Sequence, residues 1–210
     1  MLYSGFAISN LELVTKTIDE VNCKLSGKYG YVRFLRDGYR TPIEDKNRLH
    51  YDPLELEQFD QIECQWPLFL CFQLINKVFQ QHAMGGDMTD EIKLLEEQIG
   101  QILIYHETDS DFLPMMLMAY AVPSGRHVEG KRQPGTVQGE AVGHLPHISG
   151  QAFNIVARLL PENVVSPGEI DPLNRRLSTQ KRPEIVEQVA VLAANDMVKQ
   201  KLGKLGWIFF

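Results

Sequence analysis

Residues 68–80, LFLCFQLINKVFQ, carry apolar side chains on most sides of a helix. A helix apolar nearly all round has to be surrounded by other elements, so this segment predicts an inner helix. Pro67 stands where a proline opens a helix most readily. Three more segments read as amphipathic helices. Leu11, Val14, Ile18, Val21 and Leu25 recur three or four apart over 10–26, with Asn10 as a capping residue and Gly27 as a stop. Ile92, Leu95, Ile99 and Ile102 share a face over 88–105. Ala152, Ile155, Val156 and Leu159 predict the inward face of a helix over 151–160. Asp52-Pro53 opens a shorter helix through Phe59.

The helices alternate with long connections. Residues 27–52, 106–149 and 161–184 are rich in Gly, Pro and Asp, which break regular structure. Connections this long in a compact domain are functional or well anchored. The valine-rich run 184–194 fits a short strand. The pattern predicts a mainly α fold, with helices in layers and loops gathered over one end.

The formal net charge of −6 argues against general nucleic-acid binding, which needs a basic face. Cys23, Cys64 and Cys71 are too few and too irregular for a disulfide framework, and Cys23 and Cys71 fall on apolar helical patterns. No run approaches the roughly 20 apolar residues that span a bilayer. The opening MLYSGFAISNLEL reads like the middle of a domain, and Trp207-Ile208-Phe209-Phe210 like an end that packs onto something further along. Both ends give the expectation of a cut chain that is poorly stable alone and prone to self-association.

No Gly-rich phosphate loop, HExxH or CxxC pattern is present, and no Ser or Cys nucleophile sits on a recognisable turn. Neither a metal nor a cofactor is expected. The informative strings are longer. KLSGKYGYVRFLRDGYRTPIEDKNRLHYDPLELEQFDQIECQWPLF spans 24–69, YAVP spans 120–123, and GHLPHISGQAFNIVARLL spans 143–160. PGEIDPLNRRLST follows at 167–179, and then VEQVAVLA. Together these strings resemble the regulatory alpha and beta subunits of phosphorylase kinase, with the last two closer to alpha. The resemblance runs from about residue 2 to about residue 206.

That resemblance implies part of a domain like the family 15 glucoamylases, an incomplete (α/α)6 toroid with long structured loops. Residues 1–165 would supply its later part, and 166–210 the connector and the start of the following segment. The implied role is regulatory and non-catalytic, in the control of glycogen breakdown. The implied partners are the other kinase subunits, calmodulin among them, and a glucan. The implied location is the cytoplasm, peripheral at the membrane through a lipid anchor outside these residues.

Arg33, Arg36, Asp37, Arg40, Glu44, Asp45 and Arg48 crowd one loop. Guanidinium forks and carboxylates suit sugar hydroxyls, but they also make structural ion networks, and the second reading is the commoner. Glu63 near Trp66 suggests a glycosidase carboxylate beside a stacking platform. A buried acid paired at a helix start is the plainer reading. His147 is either a groove ligand or a hydrogen-bonded loop histidine, and no second ligand has metal spacing. His106 reads as a solvated helix end. Ser178 follows Arg175-Arg176-Leu177, a pattern that basic-directed kinases select.

The competing function is glucan hydrolysis, which needs an acid and a base on opposite sides of the bond. In the glucoamylases that the chain resembles, the acid lies upstream of anything matching Met1 onward. The base belongs to a Pro-Glu string shortly before an HxxGQ-like helix start, and the alpha and beta subunit family often keeps a comparable Pro-Glu before Tyr-x-Val-Pro. Aligned on Tyr120-Ala121-Val122-Pro123, that string falls on Leu117-Met118, and no Asp or Glu lies between Phe112 and Gly125. Ser149 replaces the usual aromatic of the following helix start.

Overall fold

The computed structural model describes residues 11–107 and 112–170. The described chain is mainly helical. Its helices are α1 (Leu11–Leu25), α2 (Leu68–Met84), α3 (Thr89–Ile102), α4 (His127–Arg132), α5 (Ile148–Leu159) and α6 (Pro167–Ile170). A 3-10 turn spans Glu55–Phe59. Six short strands pair as antiparallel twos: β1 (Ser26–Gly27) with β2 (Gly30–Tyr31), β3 (Ile104–Glu107) with β4 (Phe112–Met115), and β5 (Ala119–Ala121) with β6 (Glu140–Val142).

The inner helix is α2. Leu70, Cys71, Leu74, Ile75, Val78 and Phe79 are all buried, and α3 and α5 pack against it. From α3 come Ile92, Ile99 and Ile102; from α5 come Ala157 and the adjoining Leu160. Phe72 and Phe153 meet edge to face with ring centres 4.7 Å apart. The helix stops at Gly85, whose left-handed φ of 67° lets its N–H reach the Gln81 carbonyl at 3.0 Å. From α1, Asn22 accepts from the Tyr31 hydroxyl at 2.7 Å and from the Gln73 amide at 3.2 Å, which ties that helix to α2.

Several expectations change. Ala152 and Ile155 lie on the exposed side of α5; the buried side is Gly150, Asn154 and Ala157. Cys23 is exposed, not buried. Residues 104–107 form β3, so the backbone at His106 is strand and not a helix end. The stretch 106–149 is not irregular: it holds β4, β5, α4 and β6. Gly27 continues α1 into β1 without a left-handed turn. Asn10, Ser178 and the strand expected at 184–194 lie outside the described residues, as does the connector expected beyond 170.

Candidate functional site

Two consecutive residues hold the loop end together. The Trp66 N–H donates to the Tyr31 carbonyl at 2.8 Å, and the Tyr31 N–H returns to Trp66 at 3.3 Å. The Gln65 N–H donates to the Tyr120 carbonyl at 2.9 Å, and Tyr120 returns the bond at 2.8 Å. Gln65-Trp66 therefore bridges β2 on one side and β5 on the other, immediately before α2 begins. The Gln65 side chain accepts from the Tyr29 N–H at 2.7 Å, and the Tyr29 ring stacks on Tyr120 with centres 4.5 Å apart.

The crowded loop 27–52 folds over this bridge. Asp37 is 2% exposed and takes the Arg33 guanidinium in a fork, with Nε donating at 2.6 Å and Nη2 at 2.9 Å. The same guanidinium lies 4.6 Å from the Tyr39 ring centre and 5.0 Å from that of Trp66. Arg36 and Arg40 adopt left-handed φ values of 61° and 62°. Carboxylates fix both turns. Glu63 accepts from the Arg36 N–H at 2.7 Å, and Glu44 from the Arg40 N–H at 2.9 Å. The Arg36 side chain reaches Glu57 at 3.6 Å, and that of Arg40 lies 5.6 Å from the Tyr39 ring centre. Asp45 accepts from the Asn47 N–H at 3.0 Å, and Arg48 forks onto Glu55 at 3.0 and 2.7 Å. The charges of the loop are thus largely engaged with one another and with its own backbone.

Trp66 is 7% exposed, and its indole N–H meets no partner among the described residues. The His147 ring meets it edge-on, 6.4 Å between centres. His147 follows a cis Leu145–Pro146 bond and caps α5, its Nδ1 accepting from the Gly150 N–H at 3.2 Å. An accepting Nδ1 belongs to the neutral ring. Burial, and then the neighbouring His144, push its pKa below the ordinary value.

Met118 packs against the buried group formed by Cys64, Trp66, Ala119 and Ala121. Leu117 is buried. Of the buried carboxylates, Asp37 is tied to Arg33, which lies over Trp66, and Glu63 is tied to the Arg36 N–H. Among the described residues no group of three or more His, Cys, Asp or Glu could hold a metal ion, and no helix is long and apolar enough to cross a membrane.

Sequence reasoning did not single out Tyr29, Tyr31, Tyr39, Gln65 or Gln151. The Gln151 side chain clamps β4 and the residue after it, accepting from the Met116 N–H at 2.9 Å and donating to the Pro114 carbonyl at 3.1 Å. Its signal was its place in the string GHLPHISGQ.

Burial raises the pKa of Glu63, outweighing the N–H bonds that lower it. A carboxyl whose folded pKa lies above its unfolded value contributes stability at low pH that is lost as pH rises through the folded pKa. Glu63→Gln removes that penalty and keeps an oxygen for the Arg36 N–H. The variant should melt higher than the parent at pH 7, and the gap should close as pH falls below the ordinary carboxylate value of 4.5. Melting curves at pH 7 and pH 4 check this. A variant less stable than the parent at pH 7 would contradict it.

The described residues define a helical unit capped by loops whose acidic side chains are engaged in holding those loops. Comparison with known proteins makes the kinship specific. The chain is 42% identical over 204 residues to phosphorylase b kinase regulatory subunit alpha, liver isoform, of Oryctolagus cuniculus, and 40% identical over 204 residues to the skeletal muscle isoform of Rattus norvegicus. It is 38% identical over 202 residues to the probable regulatory subunit alpha of Drosophila melanogaster. These matches cover 96–97% of this chain and 16% of each relative. Along nearly its whole length the chain is thus similar to one segment, about a sixth, of the phosphorylase b kinase regulatory alpha subunits. No protein-family model matches it.

Proposed function

We propose that the chain acts as a regulatory, non-catalytic segment of a phosphorylase kinase subunit, in the control of glycogen breakdown. One observation carries the reading: identity of 36–42% over nearly the whole chain to subunits named as regulatory. Kinase activity then resides in another subunit. The partners are the other subunits of that assembly, calmodulin among them. A lipid anchor outside these residues would hold the assembly at the cytoplasmic face of the membrane. In this reading α1, α2, α3 and α5 are neighbouring layers of an incomplete (α/α)6 toroid across 1–165, and 166–210 begins the next segment. Co-expression with the remaining kinase subunits tests the assembly. The tagged chain should copurify with them, and its failure to do so would count against the proposal.

Glucan hydrolysis is the reading we do not favour. General acid or base assistance is worth about 10²–10⁴-fold per group, and the alignment on Tyr120-Ala121-Val122-Pro123 puts Met118 where the resemblance implies a base. Clean protein should release no glucose from maltose or glycogen above a boiled control. Turnover abolished by Glu63→Gln would overturn this and make Glu63 a catalytic carboxylate. A glucan held without turnover fits the regulatory reading and would appear as sugar affinity alone.

Ser178, behind Arg175 and Arg176, is proposed as a phosphorylation site, where the added charge would pair with both arginines. A basic-directed kinase should label it. Equal labelling after both arginines become alanine would rule it out.

A further inference from the structure

One cation of the rim is held by a complete set of recognition groups. The Tyr39 and Trp66 rings lie 6.0 Å apart between centres and 24° from parallel, and the Arg33 guanidinium lies over both. The Asp37 carboxylate closes its edge with two short bonds. Asp37 does not depend on Arg33 for its place, because its Oδ1 also accepts from the Tyr39 N–H at 3.1 Å. Two aromatic faces and a planar two-oxygen acceptor are what a guanidinium selects over an ammonium. Arg33 reaches the site from only four residues away. The residues that follow it, Phe34 and Leu35, are 58% and 55% exposed, and the strap is tied down again at Arg36, through its N–H to Glu63 and its side chain to Glu57.

We infer that Tyr39, Trp66 and Asp37 form a guanidinium-binding site that the chain fills with its own Arg33. The contact is autoinhibitory: it closes the site to an arginine side chain offered by another polypeptide. Swinging out residues 33–35, between the Val32 and Arg36 backbone bonds, opens the site, and the buried Asp37 carboxylate then supplies the demand for a cation.

The test uses the 210-residue chain with Trp207→Phe, so that fluorescence reports Trp66. Arg33→Ala empties the site. Methylguanidinium and N-acetyl-arginine amide at low millimolar concentration should each give a saturable change in Trp66 fluorescence. Methylammonium at equal ionic strength should give none. The chain with Arg33 intact should not respond, and adding Asp37→Asn to the emptied variant should weaken binding at least tenfold. An unresponsive Arg33→Ala, an equal response to methylammonium, or an equal response with Arg33 intact would each overturn the inference. Arg33→Met, which preserves the bulk of the stem, covers the case in which the alanine variant does not fold. There methylguanidinium should raise the melting midpoint saturably. Failure of the probe to stabilise either variant would also overturn it.

Discussion

Gly30→Ala should cost at least about 3 kcal/mol, one of the largest losses from a single added methyl group in this chain. Gly30 has a φ of 134°, a region that L side chains rarely enter. A Cβ there would collide with the Trp66 carbonyl oxygen and stand 2.6 Å from its carbon. The obstacle is backbone, which cannot rotate away, and the same carbonyl accepts the Tyr31 N–H. Relief would require separating β2 from Trp66, which opens the bridge under the whole rim. For a chain of this size the loss corresponds to a fall in melting midpoint on the order of 10 °C. Gly85→Ala is the matched control. Gly85 is also left-handed, but a Cβ there meets nothing within 4 Å, so it should cost only about 1 kcal/mol. Equal losses from the two substitutions would show that the Trp66 collision is not what makes Gly30 necessary.

Asp37→Ala should cost about 2–3 kcal/mol. Removing one member of a fully buried ion pair costs about 3–5 kcal/mol, because the other charge stays buried and unpaired. Here the Arg33 side chain is 33% exposed, which lets water recover part of that loss. Asp37 also accepts the Tyr39 N–H, so the backbone turn loses an acceptor at the same time. Adding Arg33→Met should return part of the lost stability, because the stranded guanidinium is gone. Denaturant melts of the two single variants and the double variant measure the coupling. A cost under about 0.5 kcal/mol for Asp37→Ala, in the range of ordinary surface substitutions, would reduce the pair to a surface contact.

The inner helix was legible because two independent signals agree on α2: Pro67 before it and apolar residues around it. The buried side of α5 was not. Val156 does face the core, as its spacing predicts, but the fully buried positions are Gly150, Asn154 and Ala157, which are small or polar and leave no apolar mark. Ile148 and Ile155, at 81% and 50% exposure, leave that mark on the opposite side. The strands escaped because β1, β2, β5 and β6 have only two or three residues each, too few to display alternation. The crowding of charge between Arg33 and Arg48 is plain in the sequence, but its pairing is not. Arg33 and Asp37 pair four residues apart without a helix, and Glu63 acts on a backbone N–H twenty-seven residues earlier. Met118 could be placed only through the Tyr-Ala-Val-Pro string beside it.

The double bridge at Gln65-Trp66 is made of peptide groups. Side-chain identity at those two positions does not enter its four hydrogen bonds. Exchanging either of these two side chains therefore leaves the four bonds available, and the spacing of β2 and β5 across the bridge is set by backbone geometry.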